Sequence, residues 1–312
     1  MVKRLIDCNA SDFRQVNASD LIEAIRLCEG RVVAAEVLAV APPLLDKVSN
    51  AELAAAMGAD LILFNYYDVT APQVTGFPDQ ADQPPGWSHD FGHVAWGRGV
   101  TLQLVKEWIG RPVGINLEPV ENLAALTTPG RLATAENALA AVEQGADFLV
   151  LTGNPVTGVT TTGIANALRQ IRVAVGERVI LLAGKIHAAG RYEPLVRRED
   201  VQAYANAGAD GIALPVPGTL PGMTVEAVRA LVDLVHSLGL IVMNGIGTSQ
   251  EGASQTTIEQ MALMSKMSGA DIHHIGDAGT LGIAIPENIY AFSLALRGRR
   301  HTWHRMATSL RR

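Results

Sequence analysis

The sequence predicts a single (β/α)8 barrel, and three observations carry that prediction. First, a small-residue stop followed by an acid and an apolar burst occurs four times: Gly58-Ala59-Asp60, Gly145-Ala146-Asp147, Gly208-Ala209-Asp210 and Gly269-Ala270-Asp271. This is how a helix ends on a glycine and the chain turns into a buried parallel strand. Second, four further short apolar runs, Val32–Leu38, Pro112–Glu118, Arg178–Lys185 and Leu240–Ile246, alternate with these units. Third, helix-like segments separate all eight, which is the strand count of this barrel class.

The elements follow in order. Asp20 to Glu29 repeats Leu21, Ile22, Ile25 and Cys28 at helical spacing, so an extra N-terminal helix is expected to close the barrel bottom. After strand one, Ser49 and Glu52 have the spacing of a capping box and open a helix reaching Met57. Strand two, 60–66, leads into residues 67–99, which hold Pro72, Pro78, Pro84, Pro85 and five glycines, too many breakers for a regular element. With Phe77, Trp87, Phe91 and Trp96, this long loop is expected to be a lid or a subunit interface. Helices are expected near 100–109, 134–144, 162–175, 199–207, 224–238, 254–268 and 287–297, with Thr134, Thr162 and Thr224 as caps. The basic terminal extension carries six arginines from Arg297 to Arg312 and no acid. Its residues Trp303, Met306, Ala307 and Leu310 share one helical face and are expected to pack on the barrel or a second subunit, making a homo-oligomer.

Composition narrows the function. Of 312 residues, 48% are hydrophobic and 18% charged, as in a well-buried core, and no linker divides residues 1–312 into separate domains. A net charge of -6 offers no basic field for nucleic acid or an anionic membrane. The N-terminus lacks the apolar core of a secretory signal, so a cytoplasmic protein is expected. Two cysteines, Cys8 and Cys28, make neither a disulfide framework nor a zinc site.

In a barrel, polar residues at strand carboxyl ends reach the mouth, where this fold builds its sites. Glu36, Asn65, Asp68, Asn116, Glu118, Asn154, Lys185, His187, Asn244 and Asp277 all occupy such places. Buried acids and lysines are costly unless paired with each other or with a ligand. Glu36 and Lys185 could form an internal ion pair that only supports the loops. Lys185-Ile186-His187 puts an ammonium and an imidazole at i and i+2, suited to holding an enolate or forming an imine. The glycine-rich loops after strands seven and eight, with Gly247, Thr248, Ser249 and Gly279, are expected to cradle a phosphate or another anion. His273 and His274 adjoin in one strand and face opposite ways, so they do not chelate one ion. Magnesium held by Glu36, Glu118 and Asp277 is compatible with oxygen-ligand chemistry; no cofactor is otherwise implied.

The stretches LIDCNASDFR, NAELAAAMGADLILFN, RPVGINLEPVE, TPGRLATAENA, DFLVLTGNPVTGVT, AGKIHAAG, IGTSQEGA, MALMSKMSGADIHHIGDAG and RRHTWHRMA resemble, over the full chain, an uncharacterised bacterial family of (β/α)8-barrel proteins. Its members are often labelled haloacid-dehalogenase-like hydrolases or likened to phosphoenolpyruvate phosphonomutases. The chain has neither the Asp-x-Asp motif of the former nor the Lys-Arg-Cys-Gly-His loop of the latter, so the resemblance implies the barrel and no particular reaction. A more distant likeness is to the BtpA-like barrels, implicated in photosystem I biogenesis.

The functional expectation is a lyase or isomerase acting on a small phosphorylated or carboxylated metabolite. Lys185 would stabilise the developing anion, and His187 or Glu118 would move the proton, with Glu36 and Asp277 beside them. The alternative is a non-catalytic ligand-binding assembly or regulatory factor; an apolar mouth would favour it.

Overall fold

In the computed structural model, which describes residues 2–80, 95–121, 128–153, 158–186 and 195–312, eight parallel strands pair in sequence order and close on themselves. They are β1 (Val32–Leu38), β2 (Leu61–Asn65), β3 (Val113–Leu117), β4 (Phe148–Leu151), β5 (Ile180–Gly184), β6 (Gly211–Pro215), β7 (Ile241–Ile246) and β8 (Ile272–Ile275). The last pairing, β1 with β8, matches Val32 to Ile272 and Ala35 to Ile275. The expected (β/α)8 barrel is thus present.

The helices are α1 (Ala10–Phe13), α2 (Ala18–Arg26), α3 (Asn50–Ala56), α4 (Leu102–Ile109), α5 (Ala135–Glu143), α6 (Thr161–Val175), α7 (Arg198–Asn206), α8 (Val225–Ser237), α9 (Gln255–Met267) and α10 (Pro286–Ala307). Ser49 and Glu52 form the expected capping box, and Thr134 and Thr224 accept from Asn137 and Ala227. At α6 the cap is Thr160, accepting from the Gly163 amide at 2.9 Å, rather than Thr162, which already lies in the first turn. None of the described helices is long and apolar enough to cross a membrane.

Side-chain alternation divides the apolar residues into two layers. Val32, Ala34, Leu61, Leu63, Phe148, Val150, Ile180, Leu182, Ala213, Ile241, Met243 and Ile272 face inward and are joined from below by Leu21 and Ile25 of α2. A void of about 10 Å³ is what remains between them, so the barrel interior is packed. The intervening strand residues, such as Ile62, Ile115, Leu149 and Val242, pack against the helices.

The four Gly-Ala-Asp units do more than mark boundaries. Their glycines, at φ +101, +101, +95 and +94°, take a conformation that side chains resist, which ends each preceding helix. Each aspartate then grips the strand before its own. Asp60, Asp147, Asp210 and Asp271 donate their amides to the carbonyls of Val33, Val113, Leu181 and Val242 and accept those residues' amides on their carboxylates, at 2.7–2.9 Å. A basic side chain from the helix preceding the odd strand completes each clamp. Lys106 of α4 reaches Asp147 at 3.0 Å, Arg172 of α6 reaches Asp210 at 2.5 Å, and His236 of α8 reaches Asp271 at 2.9 Å. For Asp60 the helix is α10, which comes round the ring to supply Arg297.

The Asp60 clamp is the deepest. A second arginine, Arg305, binds Asp60 at 2.7 Å and donates to the carbonyls of Leu5 and Cys8. Burial opposes the charge on Asp60, but Arg297 and Arg305 hold its carboxyl below the usual range. Of the two expectations for the terminal extension, packing of its apolar face on the chain's own barrel is corrected. The residue turned inward is Arg305, 1% exposed, whereas Trp303, Met306 and Leu310 are 53, 37 and 41% exposed. The reason is a break at Gly298, φ +70°, after which the helix resumes with a different face toward the barrel.

At the base of the loop after β2, Val74 and Gly76 donate to the carbonyls of Gly97 and Ala95, and Asp79 pairs with Arg98. Gly97 is required there: a Cβ would stand 1.8 Å from the Val74 oxygen. Phe77 is buried, its ring centroid 5.2 Å from that of Trp108 on α4. Of the other aromatics behind the lid or interface expectation, Trp96 is half-buried, and Trp87 and Phe91 lie outside the described residues.

Candidate functional site

The inward alternation of each strand continues into the carboxyl-end mouth and decides which polar side chains meet there. On β1 it runs Val32, Ala34, Glu36; on β2, Leu61, Leu63, Asn65; on β8, Ile272, His274. Glu36, Asn65 and His274 therefore share the layer above the apolar core. Asp277 follows β8 and accepts from the Asn65 amide group at 3.4 Å. The Glu36 carboxylate lies 3.1 Å from His274 Nε2, yet neither ring nitrogen of His274 is aligned in a hydrogen bond, although the residue is 1% exposed.

Glu251 was not anticipated. It sits in the loop after β7, is 4% exposed, and leaves Oε2 without a partner. Asn288, near the start of α10, fixes this loop by donating to the carbonyls of Glu251 and Ala253 at 2.9 and 2.8 Å. Three acids and an imidazole are thus gathered on the β7–β8–β1 side. Burial, then the nearby Glu36, push Asp277 up to about 6, with Glu251 adding to the effect. Burial raises Glu251 as well.

A second pole lies at β3. Asn116 and Glu118 continue the inward alternation of Gly114. Glu118 is bound by Arg131, whose guanidinium lies 3.8 Å from the Tyr66 ring centroid. Burial raises the Glu118 carboxyl and Arg131 works against that rise. Asn116, 6% exposed, has its Oδ1 unpartnered.

Other expected site residues are placed differently. Asn244 alternates with the inward Ile241 and Met243, so it points into the helix layer, where it donates to Ser268 at 2.9 Å. Lys185 is buried at the end of β5, but the inward sequence is Ile180, Leu182, Ile186, and Ile186 is the side chain packed on the inner cluster. Asp68 turns back to accept from Thr70. Asn154 and His187 lie outside the described residues.

The loops after β7 and β8 differ from a phosphate cradle. The Gly279 amide already donates to Asp277 Oδ1 at 2.8 Å, and the Thr248 hydroxyl is within 2.6 Å of the Gly247 carbonyl. Gly247 and Ser249 stand in the same loop as Glu251, so an arriving anion would meet negative charge. The expected magnesium set is also divided, since Glu118 belongs to Arg131 at the opposite pole. Among the described residues no group of three or more His, Cys, Asp or Glu could hold a metal ion.

His273 is structural: it faces outward, Nε2 donating to the Gly30 carbonyl at 3.0 Å and Nδ1 accepting from Ser265 at 2.7 Å, and burial lowers it to about 4. Its opposite orientation to His274 agrees with the sequence reading.

A family profile described as "Domain of unknown function (DUF7916)" matches residues 6–312. No curated protein matches the chain. Similar solved structures include thiamine phosphate pyrophosphorylase from Pyrococcus furiosus (12% identity, 86% of this chain and 97% of that one, TM-score 0.46). Two others are QR15, an aldolase (17%, 86% and 98%, TM-score 0.46), and 2,3-dimethylmalate lyase, a member of the PEP mutase/isocitrate lyase superfamily (14%, 85% and 82%, TM-score 0.46). At that similarity they transfer no reaction to this chain.

Proposed function

We propose that this protein, which belongs to the DUF7916 family, is an enzyme that moves a proton on a small metabolite at the barrel mouth, by lyase or isomerase chemistry. The observation that carries the reading is the convergence of Glu36, His274, Glu251 and Asp277 in a largely dry layer, with Asp277 set near pH 6. A general base works best with a pKa near the operating pH, and buried polar atoms without partners are uncommon unless a ligand completes them.

In this reading Asp277 removes a proton from a carbon beside a carbonyl and returns it to the neighbouring carbon or to the leaving group. The imidazole of His274 beside Glu36 can relay that proton. The substrate's carboxylate or phosphate points away from the acids, toward Arg131 at the β3 pole, whose guanidinium steadies the developing negative charge. The test is a native-mass or metabolite-soaking screen for a co-purifying ligand, followed by turnover assays. Asp277→Asn should lower kcat by about 100-fold or more, the usual contribution of general acid–base catalysis. Full activity in that variant would refute the reading.

A second reading, a non-catalytic ligand-binding or regulatory factor, is favoured by Ile186, which brings an apolar side chain against Gly245 and Gly247 in the mouth. A ligand recovered unchanged after prolonged incubation would support it.

A further inference from the structure

We infer that the arc formed by Glu36, Asn65 and Asp277 binds the ammonium group of an amine-bearing substrate. The inference rests on the mouth being the site proposed above, and adds the chemical class of what enters it.

Glu36 and Asp277 are only partly buried, so a ligand entering the mouth can reach them. Asn65, on the strand between β1 and β3, already gives its amide N–H to Asp277 and uses its own oxygen to accept the Tyr66 amide. It orients the carboxylate with one of its two N–H groups. Behind this front stand two enclosed groups that point to a missing partner: His274, whose Nε2 meets Glu36 without an aligned hydrogen bond and whose Nδ1 has none, and Glu251, with Oε2 unpartnered. The groups facing Asp277 are thus Glu36 from β1, Asn65 from β2, Glu251 from the loop after β7 and His274 from β8.

Three ligand chemistries compete for this arc. A phosphate would meet three carboxylates, and the donors that a glycine-rich loop would give it are taken: Gly279 N–H by Asp277, and the Thr248 hydroxyl by carbonyls of its own loop and of Thr219. A divalent ion needs several ligands at one point, and no such group exists among the described residues. An ammonium needs only acceptors, brings the compensating charge, and tolerates carboxylates spread over an arc. Its arrival favours ionised Asp277, so below about pH 6 binding expels the proton that the crowded acids retain there.

Ethanolamine is the probe, compared with ethylene glycol, inorganic phosphate and magnesium chloride on the full-length protein by calorimetry. Ethanolamine should bind about tenfold more tightly at about pH 7.5 than at about pH 5, with proton release at about pH 5, read in buffers of differing ionisation enthalpy, and almost none at about pH 7.5. Glu36→Gln should weaken it about tenfold or more; Asp277→Asn should weaken it and abolish the proton release. Unfolding curves check that both variants remain folded. Binding by phosphate or magnesium in preference, or ethanolamine affinity unchanged in both variants, would overturn the inference. An Asp277-dependent reaction on a substrate without an amine would overturn the ammonium assignment and leave the proposed site standing. Ethanolamine binding as expected, with no Asp277-dependent turnover of any recovered ligand, would instead remove the catalytic reading.

Discussion

At the scale of single residues, Asp277 binds protons more tightly folded than unfolded. Its carboxyl is raised to about 6, against about 3.9 in an unfolded chain, so between these values the native state holds more protons and stability falls as pH rises. Below about pH 4 the group is protonated in both states and costs nothing. Asp277→Asn keeps the oxygen that accepts from Gly279 and removes the charge. It should therefore stabilise the protein at pH 8 by about 1 kcal/mol, a figure discounted for partial exposure, and leave stability at low pH nearly unchanged. Urea unfolding at the two pH values measures it; equal effects at both would contradict the raised carboxyl. Glu36, Asn65 and Asp277 were legible in the sequence because each is a polar residue closing an apolar strand. Glu251 was not, since a lone acid in a glycine-rich loop gives no sign of its burial. Asn244 misled because position along a strand was read without its parity: one residue's difference turns a side chain from the mouth to the helix layer.

At the scale of elements, the four clamps have one geometry and different surroundings. Asp60 faces Arg297 and Arg305, both fully enclosed, whereas the Arg172 side chain opposite Asp210 is about a fifth exposed. Removing one partner from a buried ion pair strands the other charge, while an exposed cation is rescued by water. Asp60→Asn should thus cost about 3–5 kcal/mol and Asp210→Asn about 1 kcal/mol, read from urea midpoints at constant slope. Equal losses would mean that the clamps act through their backbone bonds alone. The strands and helices themselves were legible, because breakers and apolar runs are local signals. The clamps were half legible: the aspartates recur visibly, but their basic partners lie on helices far off in sequence, and in one case at the other end of the chain.

At the scale of the whole molecule, the clamps divide the barrel into four like quarters, each made of a helix bearing the basic side chain, the odd strand it leads into and the even strand whose aspartate it meets. In the first quarter that helix is α10, the last in the chain, and the Arg312 carbonyl accepts from the Ser11 amide at 2.9 Å. Ser11 and Arg312 therefore meet inside that quarter, between its helix and the odd strand that the helix serves. Such a ring has no privileged starting point, and the connection between α6 and β5, exposed at Gly176 and Glu177, stands in the equivalent place. A circular permutant that opens there, with the old ends joined by a short flexible linker, should fold to the same cooperative barrel. One opened between Asp60 and Leu61 would sever a clamp and should not. Reading order, for this molecule, is a cut made in a wheel with four spokes.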